Sequence, residues 1–241
     1  MMRLNKYMAE CGVGARRKCD EAISQGRVSV NGVVQTRLGV QINEKRDAVL
    51  VDGRRLRPAP RFEYILLNKP KGCVTTAADE KSRKTVLDLV KSKTRVFPVG
   101  RLDIHTTGLL LLTNDGELAY KLTHPKFGVE KIYEVMLDAD LNESDRKKLQ
   151  AGIDLEEGKT ARCRIDFLDF DNRHVVHLTL HQGWKHQVRR MFESCGYQVL
   201  KLKRVGLGTL TLRGLRIGQW RKLTSLEIIR LQSLVNGKHG N

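Results

Sequence analysis

The chain has 241 residues, 40% hydrophobic and 29% charged, and its 44 Lys and Arg against 27 Asp and Glu give a formal net charge of +17. That length exceeds the common single-domain size of ~100–150 residues, so two unequal domains are expected, and the charge points to a polyanionic partner, nucleic acid first. The N-terminus lacks the apolar core of a signal peptide, no run approaches the ~18 apolar residues of a membrane span, and five cysteines without a CxxC pair support neither a disulfide framework nor a zinc site; a cytoplasmic protein is expected.

Residues 1–56 read as one small basic unit, with twelve Lys and Arg against six acids up to Arg57. Leu4, Met8 and Cys11 recur at helical spacing, Gly12-Val13-Gly14 breaks the pattern, and a second helix is predicted over 15–24 with Arg16, Arg17 and Lys18 in its first turns. Val28-Ser29-Val30-Asn31-Gly32-Val33-Val34 then sets an Asn-Gly pair between β-formers, the strongest short-range hairpin signal. Two short basic helices followed by a hairpin resemble the S4 RNA-binding domain, whose pattern is met by Arg3-Leu4-Asn5-Lys6, Ala15-Arg16 and Gly26 to Gly32, except that Asn5 stands where the pattern has aspartate. The resemblance implies RNA contacts from Arg3, Lys6, Arg16, Arg17, Lys18 and Asn31. Such cations position a nucleic acid through its phosphates without reading its sequence.

Arg57-Pro58-Ala59-Pro60-Arg61 is a stiff linker at 57–61. Beyond it a second domain is predicted over 62–235, followed by a flexible tail at 236–241. Strands are predicted over 64–67, 108–113, 131–137, 162–167, 175–180, 199–203 and 209–212, with helices over 86–91, 117–123, 144–150, 186–194 and 224–234. Strands mostly follow strands, so the expected class is α+β, a mixed and largely antiparallel sheet with flanking helices.

No P-loop, dinucleotide fingerprint, HExxH or GxSxG motif is present, and the seven histidines do not cluster at ligand spacing. A metal-dependent hydrolase or phosphodiesterase is therefore disfavoured, and no metal or cofactor is called for. The remaining candidate is Asp103 in Gly100-Arg101-Leu102-Asp103-Ile104-His105-Thr106-Thr107, directly before Gly108 and four leucines. Such an aspartate either pairs with Arg101 or caps a turn, or it is a reacting carboxylate on a loop anchored by a buried strand, where catalytic groups concentrate. Asp115, in the turn after the leucines, reads as structural. On the helix predicted over 186–194, Val188, Met191, Phe192 and Cys195 form the apolar stripe. At ~100° per residue Arg189 lies at the stripe's edge, able to reach a buried partner, and Arg190 points towards phosphate or solvent.

The run from Gly100 to Gly116 resembles the catalytic signature of the RsuA/RluB/RluE/RluF group of ribosomal RNA pseudouridine synthases. Asn68-Lys69-Pro70-Lys71-Gly72, Lys131-Ile132-Tyr133-Glu134-Val135, His186-Gln187-Val188-Arg189-Arg190-Met191 and Lys203 to Gly208 follow that group's order over essentially the whole chain. The resemblance implies isomerisation of uridine to pseudouridine without a cofactor. Asp103 would be the essential carboxylate, Tyr133 would pack on the target base and assist proton removal, and Arg189 would pair with Asp103. Tyrosine ordinarily titrates near ~10, so stacking is the plainer role. The uridine must leave its stack to be reached, which favours loops and bulges. Contacts to the flanking RNA are expected from Lys69, Lys71, Arg101, Thr106, Lys185 and Gln187, and from Arg190, Lys201, Lys203 and Arg204. His181-Gln182-Gly183-Trp184-Lys185 departs from the group by placing Gln182 where many members carry glutamate. Large-subunit rRNA and a monomer are expected; small-subunit rRNA and a non-catalytic ribosome assembly factor are the alternatives.

Overall fold

In the computed structural model, residues 1–58, 61–77, 79, 81–169 and 172–237 are described. Part of the expected linker (59 and 60) and of the expected tail (238–241) lies outside them. The described residues fall into two compact units, one built on Met1–Glu63 with Ser92–Arg95 and Asn114–Gly116, the other on the remainder.

The first unit contains β1 (Met2–Arg3), α1 (Leu4–Glu10), α2 (Arg16–Ser24), β2 (Val28–Val30), β3 (Val33–Gln35), β4 (Gln41–Ile42), β5 (Val49–Val51) and β6 (Arg54–Arg55). Leu4, Tyr7 and Met8 on α1 and Cys19, Ala22 and Ile23 on α2 recur three to four residues apart, and they close over Val28, Ile42 and Val49. The strands order as β3-β2-β5-β6, with β1 and β4 paired separately. Asn31 (φ 50°) and Gly32 (φ 84°) both take left-handed backbone, the geometry of the two-residue hairpin turn that Asn-Gly favours. Asn5 donates to Asp20 Oδ1 at 2.9 Å and so joins the two helices.

The second unit contains β7 (Tyr64–Lys69), β8 (Phe97–Pro98), β9 (Thr107–Thr113), α3 (Gly116–Thr123), β10 (Lys131–Leu137), α4 (Glu143–Ala151), β11 (Asp154–Leu155), β12 (Gly158–Lys159), β13 (Arg164–Phe167), β14 (Val175–Leu180), α5 (Gln187–Glu193), β15 (Val199–Leu207), β16 (Leu210–Thr211), β17 (Trp220–Lys222) and α6 (Ser225–Asn236). Its main sheet runs β13-β14-β10-β15-β9-β7-β17. Among the described strand pairings of this sheet only β15–β9 is parallel, so the α+β reading with a mixed, largely antiparallel sheet holds. Leu109 and Leu111 of β9 enter one apolar cluster with Leu118 and Leu122 of α3 and Leu231 of α6. Leu110 and Leu112 enter another with Ile65, Leu67 and Leu102. The four consecutive leucines are thus a strand buried on both faces, which an antiparallel edge facing water does not require.

The helix expected over 86–91 is instead a single 3₁₀ turn, Leu87–Leu89. Val86 N–H donates to Val74 O at 3.0 Å, and Val90 returns to extended backbone (φ −116°, ψ 125°). One turn suffices to bury Val86 and seat Leu87, Leu89 and Val90 against the core.

Candidate active site

Asp103 sits in the loop entering β9, and the protein grips that loop carbonyl by carbonyl. Thr75 Oγ1 donates to Leu102 O at 2.6 Å, and Gly72 N–H donates to Ile104 O at 2.9 Å. Asp103 O accepts from Thr106 N–H at 3.0 Å, closing a four-residue turn, and from Lys69 Nζ at 3.0 Å. Lys69 Nζ also donates to Thr106 O at 2.9 Å and Pro70 O at 3.2 Å. All three ammonium protons are therefore used on backbone carbonyls, in a residue with 0% exposure. Burial pushes this lysine below its ordinary pKa. It is a cation locked under the loop, not the RNA contact expected of Lys69.

The Asp103 side chain, 43% exposed, stands at the wall of a cavity of about 300 Å³ that Arg101, Thr106, Lys131, Tyr133, His186 and Arg204 also line. Tyr133, Arg101, Thr106, Lys185, Gln187 and Arg204 are therefore brought together with Asp103, although they come from a loop, β10, α5 and β15. His186 takes left-handed backbone (φ 52°), and its Nε2 lies 3.5 Å from Asp103 Oδ1. No sequence signal singles out this ring, because its approach to Asp103 depends on that one backbone conformation.

The expected Asp103–Arg189 ion pair is not formed. Arg189 does find an inward partner, but it is a backbone acceptor: Nη1 donates to Val199 O at 2.6 Å, tying α5 to β15. Several expected RNA contacts are likewise spent inside the protein. Arg204 is 2% exposed and donates from Nε to Leu109 O at 2.8 Å, so it lines the cavity and offers nothing to a surface phosphate. Gln187, 3% exposed, accepts from Trp184 N–H at 3.0 Å. Thr106 is 2% exposed and lines the cavity. Arg190 forms a two-bond pair with Glu157 at 2.8 and 2.7 Å. Asn31 is committed to Asp47 Oδ1 (3.0 Å) and Ala48 N–H (2.8 Å), where it holds its turn.

Lys71, Arg101, Lys185 and Lys201 are exposed, and Lys203 is half-buried. In the first unit Arg3, Arg16, Arg17 and Lys18 are exposed, while half-buried Lys6 pairs with Glu10 at 3.7 Å. Gly108 explains how β9 and β15 come so close: a Cβ there would lie 2.2 Å from Arg204 O, and its φ of 106° suits glycine alone. Among the described residues no group of three or more His, Cys, Asp or Glu could hold a metal ion, and no helix is long and apolar enough to cross a membrane.

A clamped aspartate loop on a buried strand, opening on a cavity shared with a tyrosine and an arginine, is the architecture of a modifying enzyme rather than a bare scaffold. The RNA pseudouridylate synthase family model matches residues 63–194 and the S4 domain model residues 2–47. The chain belongs to the RNA pseudouridylate synthase family. It is 45% identical over 245 residues to the ribosomal large subunit pseudouridine synthase B of Bacillus subtilis, covering 100% of this chain and 98% of that one. It is 38% identical over 236 residues to the dual-specificity RNA pseudouridine synthase RluF of Escherichia coli K12, covering 97% and 79%. A crystal structure of a pseudouridylate synthase superposes with a TM-score of 0.70 at 33% identity, covering 96% of this chain and 100% of that chain.

Proposed function

We propose that the protein isomerises a specific uridine to pseudouridine in large-subunit ribosomal RNA, as a monomer, with Asp103 as the reacting carboxylate. The observation that carries this reading is the placement of Asp103: a half-exposed carboxylate at a cavity wall, on a loop whose backbone is held at Leu102, Asp103, Ile104 and Thr106. Preorganisation of that kind is what a positioned acid, base or nucleophile requires. The carboxylate serves as nucleophile at C1′ or as base at C2′; either route breaks the C1′–N1 bond and lets the detached base turn so that C5 bonds to C1′.

Tyr133 lines the cavity, and its ring stacks on the everted base, whose unstacking costs a few kcal/mol. Arg189 acts through its bond to Val199 O, which steadies the strand carrying Arg204. Residues 1–56 serve as the RNA-binding unit, 57–61 as linker and 62–235 as the catalytic domain. Arg3, Arg16, Arg17 and Lys18 hold phosphates on the first unit, and Lys71, Arg101, Lys185, Lys201 and Lys203 do so around the cavity. The large-subunit assignment is supported by the relative from Bacillus subtilis and its full-length coverage. The test is to map pseudouridines in rRNA from cells with and without the protein. One large-subunit pseudouridine should disappear and return with the wild-type gene, whereas loss confined to small-subunit rRNA would overturn the substrate assignment.

A further inference from the structure

With Tyr133 stacked on the base, isomerisation still requires a group to take one proton. Once C1′ is bonded to C5, that carbon carries both its hydrogen and the sugar; the hydrogen must leave as a proton, and N1 must gain one. Resting on the synthase reading of Asp103, we infer that the side chain of Lys131, as a neutral amine, is the base that takes the C5 proton.

Lys131 opens β10 two residues before Tyr133, and both line the cavity with Asp103. The lysine is 8% exposed, and its Nζ donates to His181 O at 3.1 Å and Val129 O at 3.3 Å. Two carbonyl acceptors match the two protons of a neutral amine and leave its lone pair as the remaining direction. A third proton would find no carboxylate, because Lys131 has no ion-pair partner among the described residues. Burial, and then the charge of Arg204 on the adjacent strand, push the ammonium down to about 8, so roughly a tenth of it is neutral at pH 7. The other charged or titratable groups on the cavity wall are Arg101, Asp103, Tyr133, Lys185, His186 and Arg204. The ring of His181 is turned elsewhere, with Nδ1 3.1 Å from Gly128 O.

In the step itself Nζ takes the proton from C5, the C–H electron pair becomes the C5=C6 double bond, and the N1=C6 pair moves onto N1. The Lys131 ammonium then protonates N1, so the reaction remains an isomerisation with no proton gained or lost.

The test compares wild type, Lys131→Ala and Lys131→Arg in single turnovers on substrate RNA carrying uridine or 5-deuterouridine. Arginine keeps the positive charge and the bulk but does not deprotonate. Both variants are expected to lose about a hundredfold or more in rate and to show a larger primary isotope effect than wild type, with methylamine restoring Lys131→Ala in proportion to its free-base concentration. Lys131→Arg at the wild-type rate and isotope effect would overturn the inference, as would a slow Lys131→Ala with an unchanged isotope effect and no amine rescue. Should Lys131→Ala fail to fold, Lys131→Arg and Lys131→Met carry the isotope comparison. A wild-type chain that makes no pseudouridine would instead overturn the synthase reading itself.

Discussion

Lys69 Nζ lies 3.0 Å from the backbone oxygen of Asp103, beneath the loop that presents the carboxylate, and it shares no surface with solvent. A buried ammonium with all three protons donated to carbonyls works as an internal cation that ties the end of β7 to the Asp103–Thr106 loop. Replacing it by methionine keeps the bulk but leaves Pro70 O and Thr106 O without this donor, at about 1–3 kcal/mol for each buried carbonyl left unsatisfied. Lys69→Met is therefore expected to lower unfolding stability by about 2–6 kcal/mol and, in folded protein, to reduce kcat more than KM. Denaturant titration and steady-state kinetics read the two effects separately.

Lys131 makes a prediction about stability and pH. Its folded pKa of about 8 lies below the unfolded value near 10.5, so between those limits the unfolded chain binds the extra proton and the folded chain does not. Stability contributed by this group must then rise with pH through that window, by up to about 3 kcal/mol, and be flat below it. The difference in unfolding free energy between wild type and Lys131→Met should grow in favour of wild type from pH 8 to pH 10. A difference independent of pH over that range would show that the ammonium is not depressed.

Gly108 carries the close approach of β9 to β15. Gly108→Ala would force a Cβ to 2.2 Å from Arg204 O on a backbone with φ of 106°. The expected cost is about 3 kcal/mol or more, because backbone rather than a flexible side chain must move. Activity should fall with it, since Arg204 and the Asp103 loop flank that contact. Thermal unfolding of the variant measures the loss directly.

Much of this architecture is legible in the chain, and the part that is not has a common cause. Asn31-Gly32 announces a hairpin because only a few residue types tolerate two left-handed positions, and Leu109 to Leu112 announce a buried strand because four apolar residues in a row leave no face for water. Helical spacing places Arg189 at the edge of the α5 stripe and gives it an inward reach, yet spacing on one helix says nothing about which distant group waits there; it is Val199 O, ten residues on. Lys69 and Arg204 read as surface cations because lysine and arginine are rarely buried. Only the fold reveals carbonyls arranged around them. The stretch from Val86 to Val90 has an apolar content compatible with a helix, and its pairing with Val74 turns it into a single 3₁₀ turn.

The first unit presents Arg16, Arg17 and Lys18 exposed on α2 without ion-pair partners among the described residues. Changing all three to alanine should leave the fold intact, because α2 buries Cys19, Ala22 and Ile23 while Arg16, Arg17 and Lys18 are exposed. RNA affinity should drop, and the slope of log affinity against log salt should become shallower by about 2–3, as expected for three lost phosphate contacts. A variant with wild-type affinity and slope would remove α2 from the RNA interface.

Release of tritium from large-subunit rRNA labelled at C5 of uridine tests the central claim most directly, because the proton leaves C5 only when the base has been detached and rebonded. Wild-type protein should release one equivalent of tritium per rRNA, and Asp103→Asn should release none while binding the RNA with nearly wild-type affinity. Release by Asp103→Asn at the wild-type rate, or none by the wild type, would contradict the account.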